Sequence, residues 1–499
     1  MEMRKQLAIG SMWTAGARAG ISLMGLVSTI ILARLLTPDD FGLVAVAGVI
    51  FAIVAAFTEL SLAEALIQHA NPKRKHFDSA FTLALLRGGV VASILAVLGI
   101  FFGFYGDPRI ELILYALSAT ALVTGAKNPK IIEFRRRLSF RQELLIQLAE
   151  KFAGLIAAVT IAVIYQSFWA IVVGSIVSQL VTVLLSYVFI PYLPRISLHA
   201  WRSLLSFSGW VALGSGLRVA NWQGDQLLVG AVLGTSTMGQ YNVGGRLASL
   251  PVQESIAPLV QVLFPAFAKL QLNPDKLLEG YLRAQRMLVL VAIPVGIGFA
   301  LVAGPLMEFL LGPKWSSAAL VVQVLSVIFA VQAIARPFVP MAMGLGRTRL
   351  IFIREAIDIC VRYPLILIGL FWGGLVGLLI ARCLTGAFRI VLDMTLAHRL
   401  IGVSVLRQIS ANWRVGIACI TMVLTVLGLK WLGINNPNVI DIGVLIMAGA
   451  ISYIGTTIIL WLLLKRPAGP EREIYELLLI GREEILGRWR ARRNPDQPT

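Results

Sequence analysis

Fourteen stretches of this chain are apolar over about the 20 residues that a helix needs to cross a bilayer core. Their limits are 8 to 33, 42 to 67, 78 to 103, 111 to 127, 143 to 164, 167 to 190, 204 to 232, 238 to 264, 284 to 304, 318 to 343, 352 to 371, 374 to 397, 412 to 433 and 440 to 464. Of 499 residues 58% are apolar and 14% charged, with a mean hydropathy of +0.81, against about 25% charged residues in an average soluble domain. A soluble core has no room for that much apolar surface. The predicted fold class is all-α: a polytopic membrane protein with about 14 transmembrane helices. Arg4 and Lys5 precede an apolar run, as in a signal peptide, but the run continues to Ala33 and reads as a retained first helix.

Lys and Arg are retained on the cytoplasmic side of a span, so the connections set the orientation. With the N-terminus inside, the inside segments hold Arg4 and Lys5; Lys73, Arg74 and Lys75; Arg135, Arg136, Arg137 and Arg141; Arg195 and Arg202; Lys269, Lys276 and Arg283; Arg347 and Arg349; Arg399 and Arg407; and a basic tail. The outside segments hold little beyond Arg34, Arg109, Lys314 and Lys430. An even number of spans then places both termini in the cytoplasm. The net charge of +18 is spread over alternate short loops, not clustered with aromatics on one face, so nucleic acid is not its main partner.

A weak repeat underlies the pattern. A shift of 197 residues superposes Trp13 on Trp210, Leu36 on Leu233 and Gly42 on Gly239; the first hairpin reads LARLLTPDDFG (32 to 42) and the later one LVGAVLGTSTMG (228 to 239). The shift maps one inside-to-outside span onto another, as parallel transporter repeats require. The expected organisation is an N-terminal lobe of helices 1–6 over 1–200, a second lobe of helices 7–12 over 201–405, an additional helix pair over 406–465 and a cytoplasmic tail over 466–499. The tail runs from Glu471, Glu473 and Glu476 through an apolar stripe to Arg488, Arg490, Arg492 and Arg493, a polarity that suits the helix dipole. It reads equally as an interfacial helix on anionic lipid or as a solvated topology signal.

Few groups suit catalysis. Thr37, Pro38, Asp39 and Asp40 read as a helix start: an N-cap, a proline at the first position and acids in the first turn. No outside segment is long enough for a catalytic domain, and no catalytic residue, metal site or cofactor is expected. Cys360, Cys383 and Cys419 sit in apolar stretches without metal-ligand spacing. His69, His76, His199 and His398 fall in or near inside loops and read as surface residues.

More telling are ionisable residues within spans, because each costs a few kcal/mol at mid-bilayer unless it faces a cavity or a partner. The candidates are Arg18 on the first helix; Glu59 and Glu64 on the second; Arg87 on the third; Arg218, Asn221 and Asp225 on the seventh; and Arg246 and Glu254 on the eighth. Arg218 and Asp225 lie two turns apart on one face, beside Asn221 and Trp222. Two readings stand side by side. Arginines of the leading helices line a cavity and bind phosphate, or Arg and acid pair across helices to hold the bundle. Asp358 with Arg362 and Arg389 with Asp393 have the spacing of pairs within one helix, and Glu150 and Lys151 read as snorkelling residues.

The helix count, the LARLLTPDDFG turn, the related LGTSTMGQY turn (233 to 241) and the charged leading helices resemble Wzx/WzxC-type polysaccharide flippases of the multidrug/oligosaccharidyl-lipid/polysaccharide exporter superfamily. The resemblance extends to about residue 465. It implies two lobes around a cavity, alternating access, a bacterial inner-membrane location, and transport of an undecaprenyl-diphosphate-linked oligosaccharide, with polymerase or export machinery as further partners. Such an amphiphile needs a cationic, hydrogen-bonding interior, which the arginines with Asn221, Trp222, Gln223 and Gln226 would supply. A drug/cation antiporter of the same superfamily would favour carboxylates there, and a membrane-embedded enzyme of envelope assembly is a third reading. No glycan-specific motif is visible.

Overall fold

The computed structural model describes residues 20–69, 71–136, 140–205 and 208–465, together with 469 and 472. Arg18, Trp13 and the amphipathic pattern expected of the tail lie outside the described residues. Among those described the regular structure is helical throughout. In chain order the helices are α1 (Gly20–Leu35), α2 (Pro38–Phe57), α3 (Leu62–Gln68), α4 (Arg74–Tyr105), α5 (Pro108–Gly125), α6 (Ile132–Arg136), α7 (Phe140–Tyr165), α8 (Trp169–Phe189) and α9 (Trp201–Leu205). There follow α10 (Ser208–Leu270), α11 (Pro274–Leu311), α12 (Ser316–Gln332), α13 (Phe338–Gly344), α14 (Thr348–Ile401), α15 (Val405–Ser410), α16 (Trp413–Trp431) and α17 (Val439–Leu463).

Ten helical segments are long and apolar enough to cross a membrane, and the pair Pro108–Gly125 and Pro129–Arg136, bent by 65°, makes an eleventh. The chain is a multi-pass membrane protein. Two of the ten, Gly214–Leu270 and Thr348–Ile401, exceed one crossing, since 54 residues of straight helix would run about 80 Å through a core of about 30 Å. Both are interrupted at glycines. Gly234 (φ 82°) breaks α10, and Gly373 and Gly374 (φ 54° at the latter) break α14.

The helices form two compact units. The first comprises Met1–Leu247, Met307–Val321 and Glu355–Arg382. Its α2 starts as the sequence predicts: Thr37 Oγ1 accepts from Asp40 N at 3.2 Å, Asp40 Oδ2 accepts from Thr37 N at 2.9 Å, and Pro38 fills the first turn. The acids also do more than cap. Asp39 pairs with Arg109 at 2.8 Å and accepts from Thr235 Oγ1, while Asp40 Oδ1 accepts from Phe168 N at 3.0 Å. Arg109 in turn bonds Asp107, the N-cap of α5, and holds its carboxyl below the usual range. At the C-terminal end of α1, Trp315 Nε1 donates to Ala33 O at 2.9 Å and Lys314 Nζ to Arg34 O at 3.0 Å, satisfying carbonyls that a helix end leaves open.

Small residues set the helix spacing. A Cβ on Gly88 would lie 2.7 Å from Ala121 O, and one on Gly174 2.7 Å from the Ala158 methyl, so α4 packs on α5 and α7 on α8 at backbone contact. After α5 the chain breaks at buried Asn128. Its Nδ2 donates to Ser186 O (3.0 Å) and Ile190 O (2.7 Å), and its Oδ1 accepts from Lys130 N (3.0 Å), so the interrupted backbone keeps its partners.

The second unit comprises Ala248–Leu306, Val322–Arg354 and Cys383–Thr499. Here α16 and α17 pack on α11 through Val289, Leu290, Ala418, Cys419 and Met422, and Tyr453 Oη donates to Leu290 O at 2.8 Å. Buried Gln285 donates to Ile334 O at 2.8 Å. Arg354 and Asp393, both buried, form a two-point pair at 2.5 and 2.7 Å.

Candidate functional site

Within the first unit the chain encloses a cavity of about 600 Å³, lined from Ile21 of α1, the α2–α3 connection, α3 to α7 and Thr182 of α8. Its charged lining is Arg87, Lys127, Arg135 and Lys151 against Glu59, Glu143 and Glu150, four cations to three carboxylates. Two of the cations are paired. Arg87 Nη2 donates to Glu59 Oε2 at 2.9 Å and to Ala55 O at 2.8 Å, and Arg135 Nε donates to Glu143 Oε1 at 2.9 Å. Glu150 accepts a hydrogen bond from Thr182 Oγ1. Lys127 and Lys151 are in no ion pair among the described residues, and both keep exposed ammonium-bearing side chains against the cavity. Lys127 reaches it because α5 ends at Gly125 and the chain turns at Asn128 and Pro129.

A second polar constellation in the same unit is buried between α10 before Gly234 and α14. Asp225 Oδ2 accepts from Arg362 Nη2 at 3.0 Å and Tyr241 Oη at 2.8 Å, and lies 3.4 Å from Arg382 Nη1. Asn221 Nδ2 donates to Glu355 Oε2 at 2.8 Å and Asp358 Oδ2 at 3.1 Å. Tyr363 Oη donates to Ala220 O at 2.6 Å across a gap kept open by Gly224, where a Cβ would lie 1.9 Å from the Tyr363 hydroxyl. Asp225 Oδ1 and the Nε atoms of Arg362 and Arg382 have no hydrogen-bond partner although buried. Two buried guanidiniums thus converge on one buried carboxylate, Asp225, where charge survives by close pairing.

This changes the pairing read from sequence spacing. Arg218 is exposed and donates to Ser215 Oγ at 3.0 Å, while Asp225 takes Arg362 and Arg382. A shared helix face does not make partners when α14 offers guanidiniums at closer range. Arg362 likewise reaches Asp225 and Asn221 across helices, and Asp393 pairs with Arg354. Glu150 and Lys151 line the cavity where snorkelling was expected. His76 is buried, accepting from Lys73 N through Nδ1 at 2.9 Å, where a surface residue was expected.

Of the other sequence candidates, Glu59 and Arg87 come together in the cavity and Asn221 and Asp225 in the buried network. Trp222 is half exposed, Gln226 accepts from Asn242 at 2.7 Å, and the Arg246 guanidinium lies 3.4 Å from where a Cβ on Gly25 would stand. Glu254 is exposed in the second unit. Lys127, Arg135, Glu143, Arg362, Arg382 and Tyr241 were not among the sequence candidates. Asn128-Pro129 directly after an apolar span was the one local signal of a helix break that could have singled out Lys127.

A family model described as polysaccharide biosynthesis protein matches residues 31–320. The chain belongs to this family. It is 24% identical over 423 residues to the lipopolysaccharide biosynthesis protein WzxC of Escherichia coli K12, covering 83% of this chain and 85% of that protein. It is 25% identical over 441 residues to the succinoglycan biosynthesis transport protein ExoT of Rhizobium meliloti 1021, covering 86% and 87%. The resemblance to Wzx-type polysaccharide flippases is borne out. Among solved structures, the lipid II flippase MurJ in an inward closed conformation superposes with a TM-score of 0.71 at 13% identity, over 92% of this chain and all of that one. An inward-facing multidrug transporter of the MATE family reaches 0.56 at 14% identity, over 78% and 99%. At these identities the likeness is one of fold.

Proposed function

We propose that this chain is a flippase that moves an undecaprenyl-diphosphate-linked oligosaccharide across the bacterial inner membrane by alternating access, for exopolysaccharide or lipopolysaccharide biosynthesis. The observation that carries it is the excess of one cation in the cavity: with Arg87 and Arg135 paired, Lys127 and Lys151 face a single remaining carboxylate, Glu150. A diphosphate supplies the negative charge such a cavity lacks, and ammonium groups grip it as mobile point charges. A drug/cation antiporter would need the opposite imbalance. The family and the named roles of WzxC and ExoT favour a glycan-lipid over other anionic amphiphiles.

The proposed architecture is fourteen spans. Ten candidate segments, two of them doubled by their glycine breaks, together with the bent pair and the short α1, come to that number. We place the lobes at 1–200 and 201–405, the additional pair at 406–465 and the tail at 466–499, with both termini cytoplasmic. The repeat is supported by the way Pro38–Gly42 and Thr235–Gly239, related by the 197-residue shift, cross at matching atoms. Polymerase or export machinery would act on the delivered lipid.

The test is depletion of the protein in cells whose glycan-lipid is radiolabelled. Accumulation in the inner leaflet, with the outer leaflet starved, is expected. Normal delivery in depleted cells, or heightened drug sensitivity as the sole phenotype, would overturn the reading.

A further inference from the structure

A smaller cavity of about 360 Å³ opens where α4 begins, the chain turns from α5 into α6, and α8 gives way to an extended loop. This is the end of the bundle that carries the Lys/Arg-rich connections. Lys130 Nζ stands 4.6 Å from the centre of the Tyr192 ring and 5.9 Å from that of Phe77, and Arg74 Cζ stands 5.9 Å from the centre of Tyr192. The ring is fixed because Tyr192 Oη donates to Asp78 Oδ1 at 2.5 Å; burial, and then that bond, push its hydroxyl pKa up, so the ring stays neutral. Asp78 also accepts from Arg195 N at 3.0 Å and lies 3.7 Å from Arg74 Nε, so it is shared among three donors. Among the described residues Lys130 has no carboxylate in ion-pair range. Glu133 is the one carboxylate of the lining, against the two cations.

Apolar side chains with nothing to cover them flank this basic pocket. Leu193, which lines it, is 83% exposed, and Ile196 farther along the same loop is 79% exposed. A soluble anion would leave both in water. A phospholipid would satisfy both halves, with its phosphate against the cations and its chains against the leucine and isoleucine.

We infer that this cavity is an interfacial phospholipid site, in which Lys130 and Arg74 hold the phosphate of an anionic headgroup and Leu193 and Ile196 meet its acyl chains. Tyr192 organises the site: both cations stand over its ring, and its hydroxyl occupies one oxygen of Asp78 while Arg74 lies at 3.7 Å from the other. The site lies outside the lining of the larger cavity and does not depend on what that cavity carries.

The experiment uses the full-length protein in detergent, with bound lipids counted by native mass spectrometry during titration with phosphatidylglycerol or phosphatidylcholine. One phosphatidylglycerol per chain should be retained above phosphatidylcholine. Arg74→Ala with Lys130→Ala should weaken that retention roughly thirtyfold, the combined effect expected of two basic side chains at an anionic lipid surface. Lys269→Ala with Lys276→Ala, which removes the same charge from another basic connection, should not. Lys130→Arg should retain the lipid, which keeps the test valid if the double variant fails to fold. Equal retention of both lipids, or no difference between the two double variants, would overturn the proposal. So would displacement of the lipid by millimolar glycerol phosphate, which would make this a site for free phosphate.

Discussion

Gly42 and Gly239, 197 residues apart, meet with their helices at backbone contact: a methyl on Gly42 would lie 1.8 Å from Thr235 O, and one on Gly239 1.8 Å from Pro38 O. The contact is symmetric under the repeat, since Pro38 stands to Gly42 as Thr235 stands to Gly239. Neither backbone can yield alone. Gly42→Ala and Gly239→Ala should therefore each destabilise by at least the 1 to 3 kcal/mol typical of overpacking, and by similar amounts. Gly48→Ala, where a methyl meets nothing within 4 Å, should be neutral or slightly stabilising. Thermal melting of the purified variants checks this; a melt of Gly42→Ala indistinguishable from the parent would refute the contact.

The buried network makes a second prediction. Asp225→Ala leaves the Arg362 and Arg382 guanidiniums facing one another without their shared carboxylate, a loss of about 3 to 5 kcal/mol for a broken buried pair, and membrane abundance should fall sharply. Arg218→Ala should leave abundance unchanged, because that guanidinium is exposed. Adding Arg218→Ala to Asp225→Ala should rescue nothing, whereas adding Arg362→Met should recover part of the loss. Rescue by Arg218→Ala in immunoblots of membrane fractions would restore the pairing that helix-face spacing suggested.

Orientation can be read chemically. Asn71, Ser236 and Asn436 are all exposed, and the one-sided Lys/Arg distribution assigns the first to the inside and the other two to the outside. After the native cysteines are replaced, Cys360 and Cys383 being exposed, single cysteines at Ser236 and Asn436 should react with an impermeant maleimide added to intact cells. One at Asn71 should react only after permeabilisation. Labelling of Asn71 in intact cells would reverse the topology.

What could be read from the sequence was local. Apolar runs of spanning length announce helices wherever they occur, and Thr37, Pro38 and Asp40 announce the start of α2 because a capping box closes within four residues. The partners of Asp225 were hidden because helical spacing gives a face but not its neighbour: Arg362 is 137 residues away on a helix that nothing in the pattern aligns with α10. Lys314 and Trp315, which close the end of α1 from some 280 residues farther on, carry no signal of that role. The cavity was half visible. Glu59 and Arg87 stood out as charges inside apolar spans, but Lys127, Arg135 and Lys151 sit where basic residues are expected on topological grounds alone.

Lys127 is where a binding role and a topological one make different predictions. As one of several positive charges on an inside connection, its removal would change little, because neighbouring basic residues keep the orientation. As an ammonium outside any ion pair in a cavity that receives a diphosphate, it contributes a charge-assisted hydrogen bond, about 1.5 to 3 kcal/mol, or roughly tenfold to a hundredfold in binding. Lys127→Met should therefore insert normally, with membrane abundance and melting like the parent, yet deliver little glycan-lipid to the outer leaflet. Lys127→Arg, which keeps the charge, should deliver more than Lys127→Met. The two roles separate further in Lys127→Met combined with Glu150→Gln, which restores the cavity's charge balance without restoring a donor. If delivery returns in that double variant, Lys127 serves only to offset nearby carboxylates; if delivery stays low at normal abundance, the ammonium itself is what the substrate meets.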